Sequence, residues 1–156
     1  MSEPVGVLFV CLGNICRSPL AHGVFEHLVE QAGLSERVFV DSCGTSSYHQ
    51  GEPPDPGSVL VARKHGLDIS QQASRPLREA DFQRFRWIVV MDGSNQRNTE
   101  RMAAGRRPVH QLRDFDPEGP GAVPDPWGGG RSGFDVVYEM VERSCHVLLE
   151  RVSAEL

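Results

Sequence analysis

Apolar residues occur along the chain in two patterns, short continuous runs and longer segments with helical spacing. The run at 5–10 is continuously apolar except for one glycine, as is typical of a strand buried on both faces of a parallel sheet. Shorter runs at 38–40, 87–91 and 109–112 predict three further strands. Parallel strands need crossover connections, which the intervening segments can supply.

Those segments repeat their apolar residues every three or four positions, which predicts helices. The first follows Pro19 and continues to Gly33, and a second begins after Asp55 and ends near Gly66. Further helices are predicted at 77–85, from a Ser94 cap to about Ala104, and from Phe134 to the C-terminus. We therefore expect an α/β fold, a three-layer sandwich whose central four-stranded parallel sheet is flanked by helices.

Three loops leave the ends of predicted strands, at 11–18, 42–51 and 92–95. Ligands of such sheets bind beyond the carboxyl ends of the strands, so we expect these loops to share one rim that carries the chemistry. A long Gly- and Pro-rich loop is predicted at 114–133, and loops of that length in compact domains are usually functional.

Composition narrows the class of protein. The chain has 156 residues and 39% hydrophobic residues, which suits a single globular domain spanning 1–156. Its net charge of -5 argues against a nucleic-acid surface. No apolar run approaches the roughly 18 residues of a membrane span, and the segment Met1–Pro4 lacks the basic stretch of a signal peptide. We expect a cytoplasmic protein with neither nucleic acid nor membrane as partner.

The cysteines are too sparse for a disulfide scaffold, so at least one is predicted to be reactive. A zinc site built from Cys11, Cys16, His22 and His27 is disfavoured by spacing. The two histidines are five residues apart and would point about 140° apart on a helix. We expect no metal.

The segment 11–18, here called the cysteine loop, has the pattern Cys-x5-Arg-Ser between a strand and a helix. Backbone N–H groups of such a loop favour a dianion such as phosphate. Gly13 tolerates a positive φ and Asn14 is the next most tolerant residue. Arg17 offers a planar fork that grips two phosphate oxygens. The pattern therefore predicts a phosphate-binding loop in which Cys11 is the nucleophile.

The positive field of the loop favours the thiolate of Cys11, and the Ser18 hydroxyl would stabilise it again as a leaving group. Cys16 has two interpretations. It is either a small buried hydrophobic residue or a resolving thiol that protects Cys11 as a reversible disulfide.

A thiolate that attacks phosphorus expels an alkoxide or phenoxide, which a carboxylic acid should protonate. Asp125 is the best candidate because prolines flank it in the long loop and Trp127 can line an aromatic pocket. The residues alone do not choose Asp125 over Asp114 or Asp116, because loop aspartates are mostly solvated turn formers.

The segment 10–19, together with the distant Asp125-Pro126-Trp127, resembles the low-molecular-weight protein tyrosine phosphatases. The resemblance implies a two-step reaction through a phosphocysteine, without metal or cofactor. Nothing in the sequence demands more than a monomer, which is the expected state. The implied partners are a tyrosine-phosphorylated protein and oxyanions such as phosphate or vanadate. Similarity extends along the chain through 41–45, Tyr48, 51–55, 64–66 and Met91-Asp92 with Ser94-Asn95.

By the same resemblance, Cys11 would be the nucleophile, Arg17 the phosphate clamp, and Asp125 the general acid and then the base. Tyr48 and Trp127 match aromatic walls that select substrates by depth, because a phosphoserine is too short to reach Cys11 between them. The other implied substrate-binding residues are Leu12, Gly13, Asn14, Ile15, Cys16 and Ser18, and the implied supporting residues are Ser42 and Asp92.

The chain departs from the family at three places. Residues 128–130 are Gly-Gly-Gly where many members carry a second aromatic residue. His22 replaces a usual glutamate, and Gln71-Gln72 lies where a histidine often supports the cysteine loop. None of these changes affects Cys11, Arg17 or Asp125, so we expect an active enzyme.

Two other functions compete with this interpretation. A thiol-dependent arsenate reductase shares the loop but needs a resolving pair of cysteines in mid-chain, and no cysteine lies between Cys43 and Cys145. A non-catalytic phosphotyrosine-binding module would need neither a nucleophile nor an acid.

Overall fold

A four-stranded, all-parallel sheet with strand order β2-β1-β3-β4 forms the centre of the structure. The computed structural model describes residues 3–127 and 130–156. Within them the strands are β1 (Val5–Cys11), β2 (Val38–Gly44), β3 (Trp87–Val90) and β4 (Val109–Gln111). The helices are α1 (Arg17–Gln31), α2 (Pro56–Lys64), α3 (Asp81–Arg84), α4 (Gly93–Ala103) and α5 (Arg131–Ser153), with a 3₁₀ helix at Leu112–Phe115. The predicted α/β sandwich is confirmed.

The central strand β1 faces two apolar cores, one on each side of the sheet. Its side chains alternate, so that Val7 and Phe9 pack into a core shared with α1, α2 and α5. Leu8 and Val10 point the other way, into a smaller core toward α3 and α4. Burial on both faces explains why this strand has a continuous apolar run rather than an alternating one.

Several predicted boundaries were wrong, and local contacts explain each. Asp92, not Ser94, is the N-cap of α4, because its carboxylate accepts from the Asn95 N–H at 2.7 Å. The helix predicted at 77–85 is reduced to α3, because the segment before it forms a bridge to Gly44 at the sheet edge.

Three further boundaries differ. The loop predicted at 42–51 begins inside β2, which continues to Gly44. Helix α5 begins at Arg131, ahead of Phe134, and the start of the long 114–133 loop belongs to the 3₁₀ helix. Gly128 and Gly129, where the sequence departs from the family, lie outside the described residues. Within the described residues, no helix has the length and apolar character to span a membrane.

A buried carboxylate joins the segment after the 3₁₀ helix to α5. The side chain of Asp116 has no exposed surface and accepts from Arg113 Nε at 2.8 Å and Arg143 Nε at 2.7 Å. Burial opposes ionisation, but these two guanidinium groups outweigh it and hold the pKa of Asp116 below its usual range. Asp116 is therefore a structural anion.

We expect Asp116→Asn to lower the free energy of unfolding by about 2–3 kcal/mol, since two arginines lose their charged partner. Urea unfolding measures this. Because the pKa of Asp116 is lowered in the folded state, the difference should be complete above about pH 4 and shrink as the pH falls further. Glu118→Gln is the matched control: this carboxylate is 72% exposed, so the expected change is under about 0.5 kcal/mol. Equal effects in both variants would contradict the structural role of Asp116.

Candidate active site

The cysteine loop connects the end of β1 to the start of α1, which begins at Arg17. The backbone N–H groups of residues 12–16 have no hydrogen-bond acceptor within the described part of the chain. Backbone donors in folded proteins are nearly always paired, so five consecutive free donors indicate a site that accepts its partner from outside. Successive N–H groups in such a turn bind anions.

Asn14 holds this loop in shape. It has φ 56°, in the left-handed region that few side chains adopt, and it is buried. Its amide Nδ2 donates to Ser18 Oγ at 2.7 Å and to Ser42 Oγ at 3.1 Å. Its Oδ1 accepts from the backbone N–H of Arg75 at 3.1 Å. All of these bonds oppose relaxation of the loop toward an ordinary backbone conformation.

The end of β2 supports the opposite side of the loop. The N–H groups of Thr45 and Ser46 donate to the carbonyl oxygens of Cys11 and Leu12, each at 2.9 Å. Gly44 makes this approach possible, because a Cβ there would lie 2.7 Å from Leu12 O. The carbonyls of Cys11 and Leu12 are thus bound to the segment that follows β2, whereas the loop N–H groups are left for a ligand.

Cys11 is buried, and its Sγ lies 3.1 Å from Ser18 Oγ. Because Asn14 donates to Ser18 Oγ, the Ser18 hydroxyl hydrogen is free to point elsewhere. Its neighbours are the Cys11 sulfur and, more distantly, the carbonyl of Cys43 at 3.4 Å. A sulfur anion would be the stronger acceptor of the two.

Arg17 is buried at the first position of α1 and is oriented by two groups. Its Nη1 donates to Asp92 Oδ2 at 2.7 Å and to the carbonyl of Val123 at 3.0 Å. Burial opposes ionisation of Asp92, but hydrogen bonds from Arg17 and Asn95 N–H outweigh it and lower the pKa of Asp92. The ion pair therefore links the loop arginine to the N-terminus of α4.

Asp125 is brought to the same place by the long loop. The N–H of Val123 donates to Met91 O at 2.8 Å, which anchors the loop at the end of β3. Asp125 Oδ1 accepts from Trp127 N–H at 3.0 Å, and its Oδ2 lies 3.8 Å from Arg17 Nη2. Its side chain is 46% exposed, so both solvent and a ligand in the cavity can reach the carboxyl group.

The two other candidate acids are placed elsewhere. Asp116 is buried between two arginines, and Asp114 accepts from Gln111 N–H at the 3₁₀ helix. Neither contributes to the cavity around Cys11, whereas Asp125 does. The geometry thus separates three aspartates that residue type and loop context left equivalent and that only the family resemblance had distinguished.

Cys11 lines a cavity of about 440 Å³ at the predicted rim of the sheet. Tyr48 and Trp127 stand at its mouth, 85% and 60% exposed, so both aromatic side chains are available to a ligand. The other lining residues are Leu12, Gly13, Ile15, Cys16, Arg17, Ser46, His49 and Asp125. Loops 11–18 and 42–51 therefore meet at this rim, as predicted.

Sequence reasoning missed two of these lining residues, Ser46 and His49. His49 packs against the loop, because a Cβ on Gly13 would lie 3.0 Å from His49 Cδ2. The His49 ring also pairs with Glu52 and contacts Tyr48 edge-on, with 4.7 Å between ring centroids. The sequence feature that could have identified His49 is its position next to Tyr48 in the same loop.

Arg75 was missed for a different reason. Its guanidinium bonds the carboxylates of Asp41 and Asp81, and its backbone N–H meets Asn14. Asp81 is six residues away, but Asp41 and Asn14 are 34 and 61 residues away, so the sequence around residue 75 does not indicate this role.

Cys16 lies at the N-cap of α1 and is buried. Burial raises the pKa of the Cys16 thiol, and the carboxylates of Asp55 and Asp125 raise it further. A thiol of this kind is less nucleophilic than a thiolate. Its resolving role stays a prediction. Within the described residues, no cluster of three or more His, Cys, Asp or Glu side chains is arranged to hold a metal ion.

The structure shows the contacts of two residues near the cysteine loop that depart from the family pattern. Gln72 Nε2 donates to the carbonyl of Pro19 at 3.1 Å and so contacts α1. His22 Nδ1 lies 3.2 Å from Ser42 Oγ, the same hydroxyl that receives a hydrogen bond from Asn14. The imidazole near this network thus comes from α1, not from the loop around residue 72.

Comparisons with known proteins agree with this architecture. A family model described as low molecular weight phosphotyrosine protein phosphatase matches residues 6–156. The low molecular weight phosphotyrosine protein phosphatase of Sus scrofa is 39% identical, over 97% of this chain and 99% of its own length.

Solved structures superpose along most of the chain. A protein tyrosine phosphatase from Entamoeba histolytica is 34% identical, with a TM-score of 0.87 over 97% of this chain and 98% of its own. A drosophila arginine phosphatase is 32% identical, with a TM-score of 0.86 over 94% and 96% of the two chains. With a loop of free amide donors above a buried cysteine and arginine, and a family model matching nearly its whole length, this chain belongs to the low molecular weight phosphotyrosine protein phosphatase family.

Proposed function

We propose that the protein hydrolyses phosphotyrosine in proteins, and small aryl phosphates, through a phosphocysteine on Cys11. The observation that carries the proposal is the meeting of three groups at one cavity: the buried Cys11 thiol, the buried Arg17 guanidinium and the exposed Asp125 carboxyl group. These are a nucleophile, an anion clamp and a proton donor, which together suffice for phosphoryl transfer without a metal.

In the first step, Cys11 attacks phosphorus as the thiolate, its proton having passed to solvent beforehand. An S–P bond forms, and the P–O bond to the aryl group breaks. Asp125 donates its proton to the leaving oxygen. Arg17 and the N–H groups of residues 12–16 bind the equatorial oxygens, where charge spreads in the transition state. The fixed bonds of Arg17 to Asp92 and Val123 support this role, because they orient the guanidinium before substrate arrives.

In the second step, water attacks phosphorus while Asp125, now a carboxylate, takes its proton. The S–P bond breaks and the electron pair returns to the Cys11 sulfur. The Ser18 hydroxyl, 3.1 Å from that sulfur, can stabilise the departing thiolate. Inorganic phosphate forms at the N–H groups of residues 12–16 and Arg17. Phosphate and vanadate are therefore the expected small ligands.

We expect the cavity walls to select the substrate. Leu12, Ile15, Tyr48 and Trp127 present apolar or aromatic surface around a flat side chain, and two of them flank the cavity mouth. A phosphotyrosine ring spans this depth, whereas a phosphoserine is too short. Ser42 and Asp92 support the site without touching substrate. Action as a monomer and in the cytoplasm stays a prediction.

Three other functions are experimental alternatives. Arsenate reduction would need thiols that can relay electrons, and both Cys43 and Cys145 are fully buried. A non-catalytic phosphotyrosine-binding module would show no turnover and would need neither a nucleophile nor an acid. The drosophila structural neighbour is an arginine phosphatase. A phosphoarginine side chain is also long enough for the cavity, so direct measurement of turnover separates the two substrates.

Phosphotyrosine, phosphoserine and phosphoarginine versions of one peptide test the substrate class. We expect kcat/KM for phosphotyrosine to exceed that for phosphoserine by more than about a hundredfold, because only the longer side chain reaches Cys11. Phosphate release is the readout. Faster turnover of the phosphoarginine peptide would overturn the assignment, and arsenate-dependent thiol oxidation would favour the reductase.

Cys11→Ser should abolish turnover while vanadate binding persists, because the amide cradle and Arg17 remain. Rapid quench of the wild type with a radiolabelled aryl phosphate should capture phosphate on Cys11. Cys145→Ala, which removes a buried thiol far along the chain, is the control and should keep turnover. Full activity of Cys11→Ser would rule out the covalent mechanism.

Asp125→Ala should slow hydrolysis by about 10²–10⁴-fold for aryl phosphates with basic leaving groups, such as phosphotyrosine, and only mildly for activated aryl esters. A plot of rate against leaving-group basicity measures this. Asp114→Asn serves as the control, since Asp114 does not line the cavity, and should leave both rates unchanged. Equal losses on both classes of ester in Asp125→Ala would show that another group is the acid.

A further inference from the structure

A continuous set of hydrogen bonds joins α1 to the Cys11 sulfur from behind the cavity. His22 Nδ1 lies 3.2 Å from Ser42 Oγ, and Ser42 Oγ lies 3.1 Å from Asn14 Nδ2. Asn14 Nδ2 is 2.7 Å from Ser18 Oγ, which is 3.1 Å from Cys11 Sγ. We call these five residues the support network. His22 is its outermost member and does not line the cavity.

The hydrogens of the network can be assigned by counting donors. The two hydrogens of Asn14 Nδ2 are used by Ser18 Oγ and Ser42 Oγ. The hydroxyl hydrogen of Ser42 then has one acceptor within the described residues, His22 Nδ1. The imidazole therefore accepts at Nδ1 and carries its hydrogen on Nε2.

Glu26 favours the same tautomer. His22 Nε2 lies 3.6 Å from Glu26 Oε2, one helical turn along α1. The neighbouring imidazole lowers the pKa of Glu26 against the opposing effect of partial burial, which favours an ionised carboxylate beside Nε2. Across the network, Asp41 is bound to Arg75 and to the Ser42 N–H and does not compete for the imidazole.

With this tautomer, the donor and the acceptor of each hydrogen bond in the support network are fixed. Ser42 donates to His22, and so presents only its oxygen lone pairs to Asn14. Asn14 in turn donates to Ser18, whose own hydrogen remains for Cys11. Gln72 does not bond to Ser42: its Nε2 donates to the carbonyl of Pro19 at 3.1 Å, and its Oε1 has no hydrogen-bond partner within the described residues.

We propose that His22 is a positioning residue of this phosphatase: its Nδ1 accepts the Ser42 hydroxyl hydrogen and thereby orients Asn14 and Ser18 toward the Cys11 sulfur. The inference rests on the proposed role of Cys11 as nucleophile. It assigns to this chain an imidazole on α1 that acts through three other side chains and touches neither substrate nor the reacting atoms.

A pair of polar substitutions tests this role. In His22→Asn the amide group occupies the place of Nδ1 and can still accept from Ser42. In His22→Gln the amide reaches instead to the place of Nε2, beside Glu26, and leaves Ser42 without an acceptor. Glutamine is the better helix former of the two, so a purely structural role predicts the opposite order.

We expect His22→Gln to lower kcat about three- to tenfold, the equivalent of one neutral hydrogen bond, with KM for an aryl phosphate within about twofold of wild type. Alkylation of Cys11 by iodoacetamide should require higher pH in this variant, because Ser18 stabilises the thiolate less well. His22→Asn should stay within about twofold of wild type in kcat and keep the wild-type alkylation profile.

His27→Gln is the matched control, since it changes another histidine of α1 outside the support network and should leave kcat unchanged. The double variant His22→Gln, Ser42→Ala should have the same kcat as Ser42→Ala alone, because both substitutions remove the same hydrogen bond. Wild-type kcat and alkylation profile in His22→Gln, equal impairment of both His22 variants, or additive effects with Ser42→Ala would each overturn the proposal.

These outcomes are distinct from failure of the proposed function. Turnover by Cys11→Ser would remove the covalent mechanism whatever the His22 variants show. A wild-type enzyme that forms the phosphocysteine, together with an unaffected His22→Gln variant, would remove only the positioning role. Thermal unfolding of each variant confirms that rates are compared between folded proteins.

Discussion

The site depends on one asparagine held in a conformation that its backbone disfavours. Asn14 adopts φ 56°, and this turn leaves the N–H groups of residues 12–16 without internal acceptors. Such a conformation persists only where the surroundings determine it, and here Ser18, Ser42 and the backbone of Arg75 each bind the Asn14 amide. The anion cradle is therefore maintained by side chains that lie outside it.

The sheet brings these side chains together. Strands β1, β2 and β3 are parallel neighbours, so their carboxyl ends open on one rim. Cys11 ends β1, the β2 residues Ser42 and Gly44 support the loop, and Asp92 follows β3. The loop at the end of β1 thus contacts segments that are distant along the chain.

Rigid and accessible groups have separate places in the site. Arg17 is buried and bound to Asp92 and Val123, which suits a clamp that should not reorganise during the reaction. Asp125 is exposed on a loop flanked by prolines, as is needed by a group that exchanges protons with leaving groups and water. Val123 connects Arg17 and the Asp125 loop. Its N–H donates to Met91 O at the end of β3, and its carbonyl accepts from Arg17.

By itself, the sequence determined the alternation of strands and helices, the cysteine loop between β1 and α1, and the clustering of chemistry at one rim. These features follow from local apolar periodicity and from the few conformations open to Gly13, Asn14 and Pro19. Tertiary structure decided that Asp125, and neither Asp114 nor Asp116, lines the cavity, and it decided the cap at Asp92. It also decided the contacts of Arg75, His49 and His22. Each depends on a partner tens of residues away or on competition between nearby caps, and local pattern does not encode which distant side chain will be within hydrogen-bonding distance.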